Sequence, residues 1–171
     1  VQWEVSLIEM QTRRANSTGV RAQQDTSGSD GKRNGMMTKY FTQYWQNSTW
    51  DWENNQAPDE RLVHIAGNEF RKRGVEPGDL IYVVTVKAGI LYVAGRMKLE
   101  RYVSKRTARE LLGYPVWDAK EQLIGVEGTL IRYDRAVSAE ATARLRFGEE
   151  ESPLLMQNGL LDRQTLRGVR Q

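Results

Sequence analysis

Six of the chain's 15 aromatic residues fall between Tyr40 and Trp52: Tyr40, Phe41, Tyr44, Trp45, Trp50 and Trp52. The later part of that stretch, Gln46-Asn47-Ser48-Thr49-Trp50-Asp51-Trp52-Glu53-Asn54-Asn55, mixes two indoles with amides, hydroxyls and carboxylates. An unpaired nucleobase suits this chemistry, because flat rings stack on its faces while amides and hydroxyls hydrogen-bond its edge. Each stacked base contributes about 1–3 kcal/mol. Read as an extended loop, Trp50-Asp51-Trp52 puts at least one indole on the wet side. The alternative is that Trp45 and Trp50 are plain core residues that fold the loop over the mouth of a barrel. Downstream, His64, Asn68 and Arg71 stand at i, i+4 and i+7, a polar stripe able to line the same pocket or to contact a phosphate. A lone helical histidine is more commonly a structural hydrogen-bonder.

The elements that must position these groups follow from patterning. Lys39 to Trp45 is expected as an aromatic-rich strand. Leu62, Ile65, Ala66 and Phe70 fall at helical spacing, so a helix is expected from about Asp59 to Arg73, with Gly74 as its C-terminal cap. Gly67 inside that helix costs about 1 kcal/mol relative to Ala. Glu76-Pro77-Gly78-Asp79 is a turn, and Leu80–Lys87 and Leu91–Leu99 are strands joined by a hairpin. In the second strand Leu91, Val93, Gly95, Met97 and Leu99 share one face, leaving Tyr92, Ala94, Arg96 and Lys98 on the other. Ser104 caps a short helix that Gly113 ends, Leu123–Val126 and Thr129–Tyr133 are strands, and Ser138 caps a last helix. The order indicates an α+β domain built on a curled sheet or open barrel.

Length and charge bound the remainder. The 171 residues hold one ordinary domain with tails, and the formal net charge is only +3. Positions 71 to 109 carry ten basic residues (Arg71, Lys72, Arg73, Lys87, Arg96, Lys98, Arg101, Lys105, Arg106 and Arg109) against three acidic ones. That segment, at +7, is either a basic face for a polyanion or a set of ordinary solvated positions. There is no cysteine and one histidine, so thiolate zinc sites, cysteine nucleophiles and multi-histidine metal sites are excluded. No nucleotide-binding glycine loop, metal-ligand cluster or paired-carboxylate motif is present, and no cofactor is expected. No apolar run is long enough to span a membrane, and a cytoplasmic address is expected. Residues 1–36, polar and nearly free of aromatics, are expected to be a disordered extension outside the native protein, whose natural start would be Met36 or Met37. The domain is expected over 37–148, and 149–171 is expected to be a tail, truncated in the helix that Asp162 would cap.

Lys39-Tyr40-Phe41-Thr42-Gln43-Tyr44-Trp45, His64-Ile65-Ala66-Gly67-Asn68-Glu69-Phe70, and Val75-Glu76-Pro77-Gly78-Asp79-Leu80-Ile81-Tyr82-Val83 with Gly95 in the next strand resemble the EVE domain. That domain belongs to the PUA-like superfamily, together with YTH and ASCH domains. The resemblance runs from about Met37 to Phe147, and its best motif is the Pro-Gly-Asp turn feeding an apolar strand. It implies a curled five- or six-stranded β-barrel with flanking helices, holding a flipped and often modified base of DNA or RNA. It also implies a link to defence against foreign DNA and an effector protein as partner. Carried over, Trp45, Trp50 and Trp52 are the stacking candidates and Asn47, Ser48 and Asn68 the edge readers. Arg71, Arg96, Lys98, Arg101 and Lys105 hold the backbone.

Two other functions compete with base binding. Some ASCH-like domains resemble small amidohydrolases, and Thr85, Lys87 and Glu100 supply groups of the right type, although the lysine-threonine-glutamate arrangement has no clear counterpart. A protein-interaction barrel would instead use the aromatic loop as a hot-spot patch.

Overall fold

The computed structural model describes residues 37–56, 60–147, 152–153, 156–157, 160–161, 166 and 169–170. The extension expected over 1–36 and most of the expected tail lie outside the described residues. Along the chain come β1 (Tyr40–Tyr44), α1 (Asn47–Gln56), β2 (His64–Gly67), a 3-10 turn (Arg71–Arg73), β3 (Leu80–Lys87) and β4 (Ile90–Val103). They are followed by α2 (Lys105–Leu112), β5 (Glu121–Val126), α3 (Ala139–Arg144) and the two-residue strands β6 (Arg146–Phe147), β7 (Ser152–Pro153), β8 (Met156–Gln157), β9 (Leu160–Leu161) and β10 (Val169–Arg170).

The fold is α+β. Its main sheet has the order β10-β1-β3-β4-β5-β2, and among the described residues no ladder joins β2 back to β10. The sheet is therefore open and mixed: β1 runs parallel to β3, and the other pairs are antiparallel. Asp79 fixes the start of the parallel pair. One carboxylate oxygen accepts from the Lys39 N–H at 2.9 Å and the other from the Glu76 N–H at 2.8 Å. Gly78, at φ 99°, supplies the left-handed residue that this turn needs. Ser104 and Ser138 cap α2 and α3 as their spacing predicts, accepting from Thr107 N–H and Ala141 N–H.

Both sheet faces are apolar. One layer gathers Phe41, Trp50, Leu62, Ile65, Phe70, Ile81, Val83, Ala94, Met97, Leu99 and Leu123. The other gathers Tyr82, Val84, Val86, Leu91, Val93 and, from α3 and its approach, Val137, Ala141 and Leu145. The simple alternation expected along β4 is corrected here. Val83 pairs with Gly95 and Val84 with Val93, so Ala94 is an extra residue in a β-bulge. Leu91 and Val93 consequently face one layer, while Met97 and Leu99 face the other. A second irregularity at Glu100 separates the Leu99–Gly125 and Arg101–Ile124 pairs.

Three further expectations are corrected. The helix expected over 59–73 is instead β2 followed by a bend and the 3-10 turn, because Ile65 pairs with Leu123 and Ala66 with Gln122 on the edge of the sheet. Gly74 is nonetheless left-handed at φ 74° and closes the 3-10 turn. Gly67 lies in β2, and a Cβ there would fall 2.5 Å from the Phe70 ring, so the close approach is to a core side chain. The stretch from Asn47 expected as a loop is helical as α1. Thr129–Tyr133 is not a strand but an irregular run beside β4, with the Leu62 N–H donating to Thr129 C=O at 2.9 Å and the Arg132 N–H to Ala94 C=O at 2.8 Å. Gly128 makes that approach possible, since a Cβ there would lie 2.2 Å from the Leu62 carbonyl oxygen.

Candidate functional site

Helix α1 separates its two indoles. Residues two apart on a helix point about 200° apart, so Trp50 turns inward and Trp52 outward. Trp50 is 1% exposed and packs edge-on against Tyr133 and Tyr92, at centroid distances of 5.1 and 6.4 Å. The expectation that Trp50 stacks on a base is corrected, because its faces are covered by the protein's own rings. Trp45 is half-buried against the same layer. Trp52 is 50% exposed and meets a second indole that is equally exposed, Trp117, edge-to-face at 5.3 Å.

Trp117 stands in the loop between α2 and β5, which several side chains hold in place. Gln122, 1% exposed on β5, donates to the Trp117 C=O at 3.0 Å and to the Ala119 C=O at 3.3 Å. Because its NH₂ group is committed to those carbonyls, its Oε1 must accept from His64 Nε2–H, 2.8 Å away. Burial holds His64 below its ordinary pKa, which favours this neutral tautomer. Asn68 accepts from the Lys120 N–H at 2.9 Å, and Lys105 pairs with Asp118 at 2.7 Å.

Glu53, the residue after Trp52 on α1, reaches the second indole. Its Oε1 accepts from Trp117 Nε1–H at 2.9 Å, and among the described residues its other oxygen has no hydrogen-bond partner. Partial burial, reinforced by Glu60, raises its pKa above the ordinary carboxylate value, against the lowering effect of the indole N–H. The same two carboxylates act on Tyr114 and Tyr133, whose phenols are pushed up mainly by burial and then by Glu53 and Glu60. The Tyr133 hydroxyl is buried without a partner among the described residues.

The remaining candidates divide. Asn47 and Ser48 open α1. Asn47 Oδ1 lies 3.0 Å from Thr85 Oγ1, whose hydroxyl also donates to the Trp45 C=O at 2.7 Å, while Ser48 is exposed. His64 and Asn68 support the Trp117 loop and share no helical stripe with Arg71. The Arg71 guanidinium sits 4.0 Å over the Tyr102 ring, beside the Glu121 carboxylate that also caps the Phe70 N–H at 2.7 Å. Burial, with Glu121 next, pushes the Tyr102 phenol up to about 12. Arg96, Lys98 and Arg101 share one face of β4: Arg96 and Lys98 pair with Tyr82 and Leu80, and Lys98 and Arg101 with Val126 and Ile124. Arg71, on the Tyr102 side, is separated from them. Lys98 pairs with Glu127 at 3.3 Å, whereas Arg96 and Arg101 have no ion pair among the described residues.

The hydrolase set does not assemble. Thr85 is wholly buried and bonded to the Trp45 carbonyl, Lys87 pairs with Asp51, and Glu100 lies at the opposite end of the β3–β4 ladder. Among the described residues no group of three or more His, Asp or Glu side chains could hold a metal, and no helix is long and apolar enough to cross a membrane. Sequence reasoning passed over Trp117 and Glu53. The available signal was an isolated Trp in the polar Tyr114-Pro115-Val116-Trp117-Asp118 loop just after a capped helix. No family model, curated protein or solved structure matches the chain.

Proposed function

We propose that this chain is a nucleic-acid-binding module that stacks an unpaired, modified base of DNA or RNA on the exposed indoles Trp52 and Trp117. The observation that carries this reading is that two tryptophans, each half open to solvent, meet edge-to-face beside a carboxylate. The fold buries Trp50 and leaves these two indoles half open side by side, an exposed aromatic patch of the kind that marks an interaction site. Exposed ring faces serve stacking, worth about 1–3 kcal/mol per base, and Glu53 can accept from a base edge. Arg96, Lys98 and Arg101, aligned on one face of β4, with Lys105 beside the Trp117 loop, supply phosphate contacts. In this reading the open sheet is the PUA-like, EVE-type curled barrel that the sequence resembles, placed in the cytoplasm and working with an effector protein.

The test is a titration of intrinsic tryptophan fluorescence with short single-stranded DNA and RNA at several salt concentrations. Binding should quench the signal and weaken as salt rises. Trp52→Ala should lower affinity about tenfold or more with the fold intact. Lys98→Ala combined with Arg101→Ala should weaken all sequences alike and reduce the salt slope by about 2. Absence of quenching by every oligonucleotide would overturn the proposal.

A further inference from the structure

Electrostatics around Trp52 and Trp117 narrow the kind of base that fits, granted the stacking reading above. The Glu53 carboxylate is tied to Trp117 through one oxygen, and its other oxygen accepts nothing among the described residues. Glu60 is close enough to act on Glu53, and both carboxylates act on the phenols of Tyr114 and Tyr133. Among the described residues, the charged groups that shift these three side chains are Glu53 and Glu60. Among the described residues Lys87 pairs with Asp51 and Lys105 with Asp118. Exposed indole faces and phenol rings add the negative face of their own quadrupoles.

A neutral base would gain stacking and a hydrogen bond from its amino edge to Glu53. A flat ring carrying a delocalised positive charge would gain stacking, cation–π attraction and a carboxylate counter-ion together. We infer that the site selects a cationic, ring-N-alkylated nucleobase, held against Trp52 or Trp117 with its charge facing Glu53. Adenine alkylated at N1 and cytosine alkylated at N3 have this chemistry. Their isomers alkylated on the exocyclic nitrogen or on ring carbon keep the same size without the charge.

Isomer pairs test the inference on the full chain by the same fluorescence titration. 1-Methyladenosine should bind at least tenfold more tightly than N6-methyladenosine, and 3-methylcytidine at least tenfold more tightly than 5-methylcytidine. Glu53→Gln keeps an oxygen for the Trp117 N–H and should erase that preference, bringing each cationic nucleoside down to the affinity of its neutral isomer. Equal affinity within each pair would overturn the inference and leave base stacking standing. Equal or tighter binding of a trimethyllysine peptide would also overturn it, since the site would then read an ammonium group. Failure of all nucleosides and all oligonucleotides to quench would remove the stacking reading itself.

Discussion

Gln122→Met removes the anchor of the Trp117 loop with little change in volume. The side chain it replaces is 1% exposed and makes three hydrogen bonds, at 2.8 Å to His64, 3.0 Å to the Trp117 C=O and 3.3 Å to the Ala119 C=O. A typical intramolecular hydrogen bond is worth about 0.5–1.5 kcal/mol net, and a buried group left unpaired costs about 1–3 kcal/mol. His64 is half-buried and Trp117 exposed, so water regains part of what the amide loses. Two well-formed bonds and one long one then come to about 2 kcal/mol, or a melting temperature about 10 °C lower for a domain of this size. Urea unfolding followed by far-UV circular dichroism should show the midpoint falling with the slope unchanged. Near-UV dichroism from the Trp52–Trp117 pair should weaken before global unfolding. A loss under about 0.5 kcal/mol, with the aromatic signal intact, would refute the view that Gln122 holds this loop.

Other perturbations separate scaffold from site. Trp50→Ala should cost about 3–5 kcal/mol as a core cavity, read in urea melts, with Trp50→Phe recovering a good part of it. Glu53 has a raised pKa in the fold, so the folded state favours its protonated form and stability declines as pH rises through that value. Glu53→Gln should therefore raise the melting temperature at pH 7 and leave it unchanged well below the ordinary carboxylate pKa of about 4.3. Gly128→Ala drives a methyl into the Leu62 carbonyl and should cost at least about 2 kcal/mol. A neutral result would show that the run after β5 is free to move away from Leu62.

Local chemistry made much of the scaffold readable. β1, β3 and β5 declare themselves through aromatic and β-branched runs, and the serine caps through position alone. Leu62, Ile65, Ala66 and Phe70 misled because their helical spacing is incidental to long-range pairing, in which β2 lies along β5 across more than fifty residues of chain. Helix α1 went unread for the opposite reason. Asn47-Ser48-Thr49-Trp50-Asp51-Trp52-Glu53-Asn54-Asn55-Gln56 has weak helix formers and no apolar stripe, so only tertiary docking of Trp50 makes it a helix. Half of the site was visible as an aromatic concentration around Trp52. Its partner Trp117 lies 65 positions further along, brought back by Gln122 and Lys105, and no local pattern encodes that return.

The bulge at Ala94 has a bearing on how this protein can change length. Because one surplus residue sits between Val93 and Gly95, deleting it leaves every other side chain of β4 pointing where it already points. Deleting a residue of the same strand away from this bulge and the one at Glu100 would reverse the in-and-out parity of everything beyond it. Shortening by one residue should thus be survivable at position 94, with a modest drop in stability from the lost methyl and flattened twist, and ruinous at Leu91 or Met97. A deletion scan scored by soluble yield would show two tolerant gaps, at Ala94 and Glu100, in an otherwise unforgiving strand.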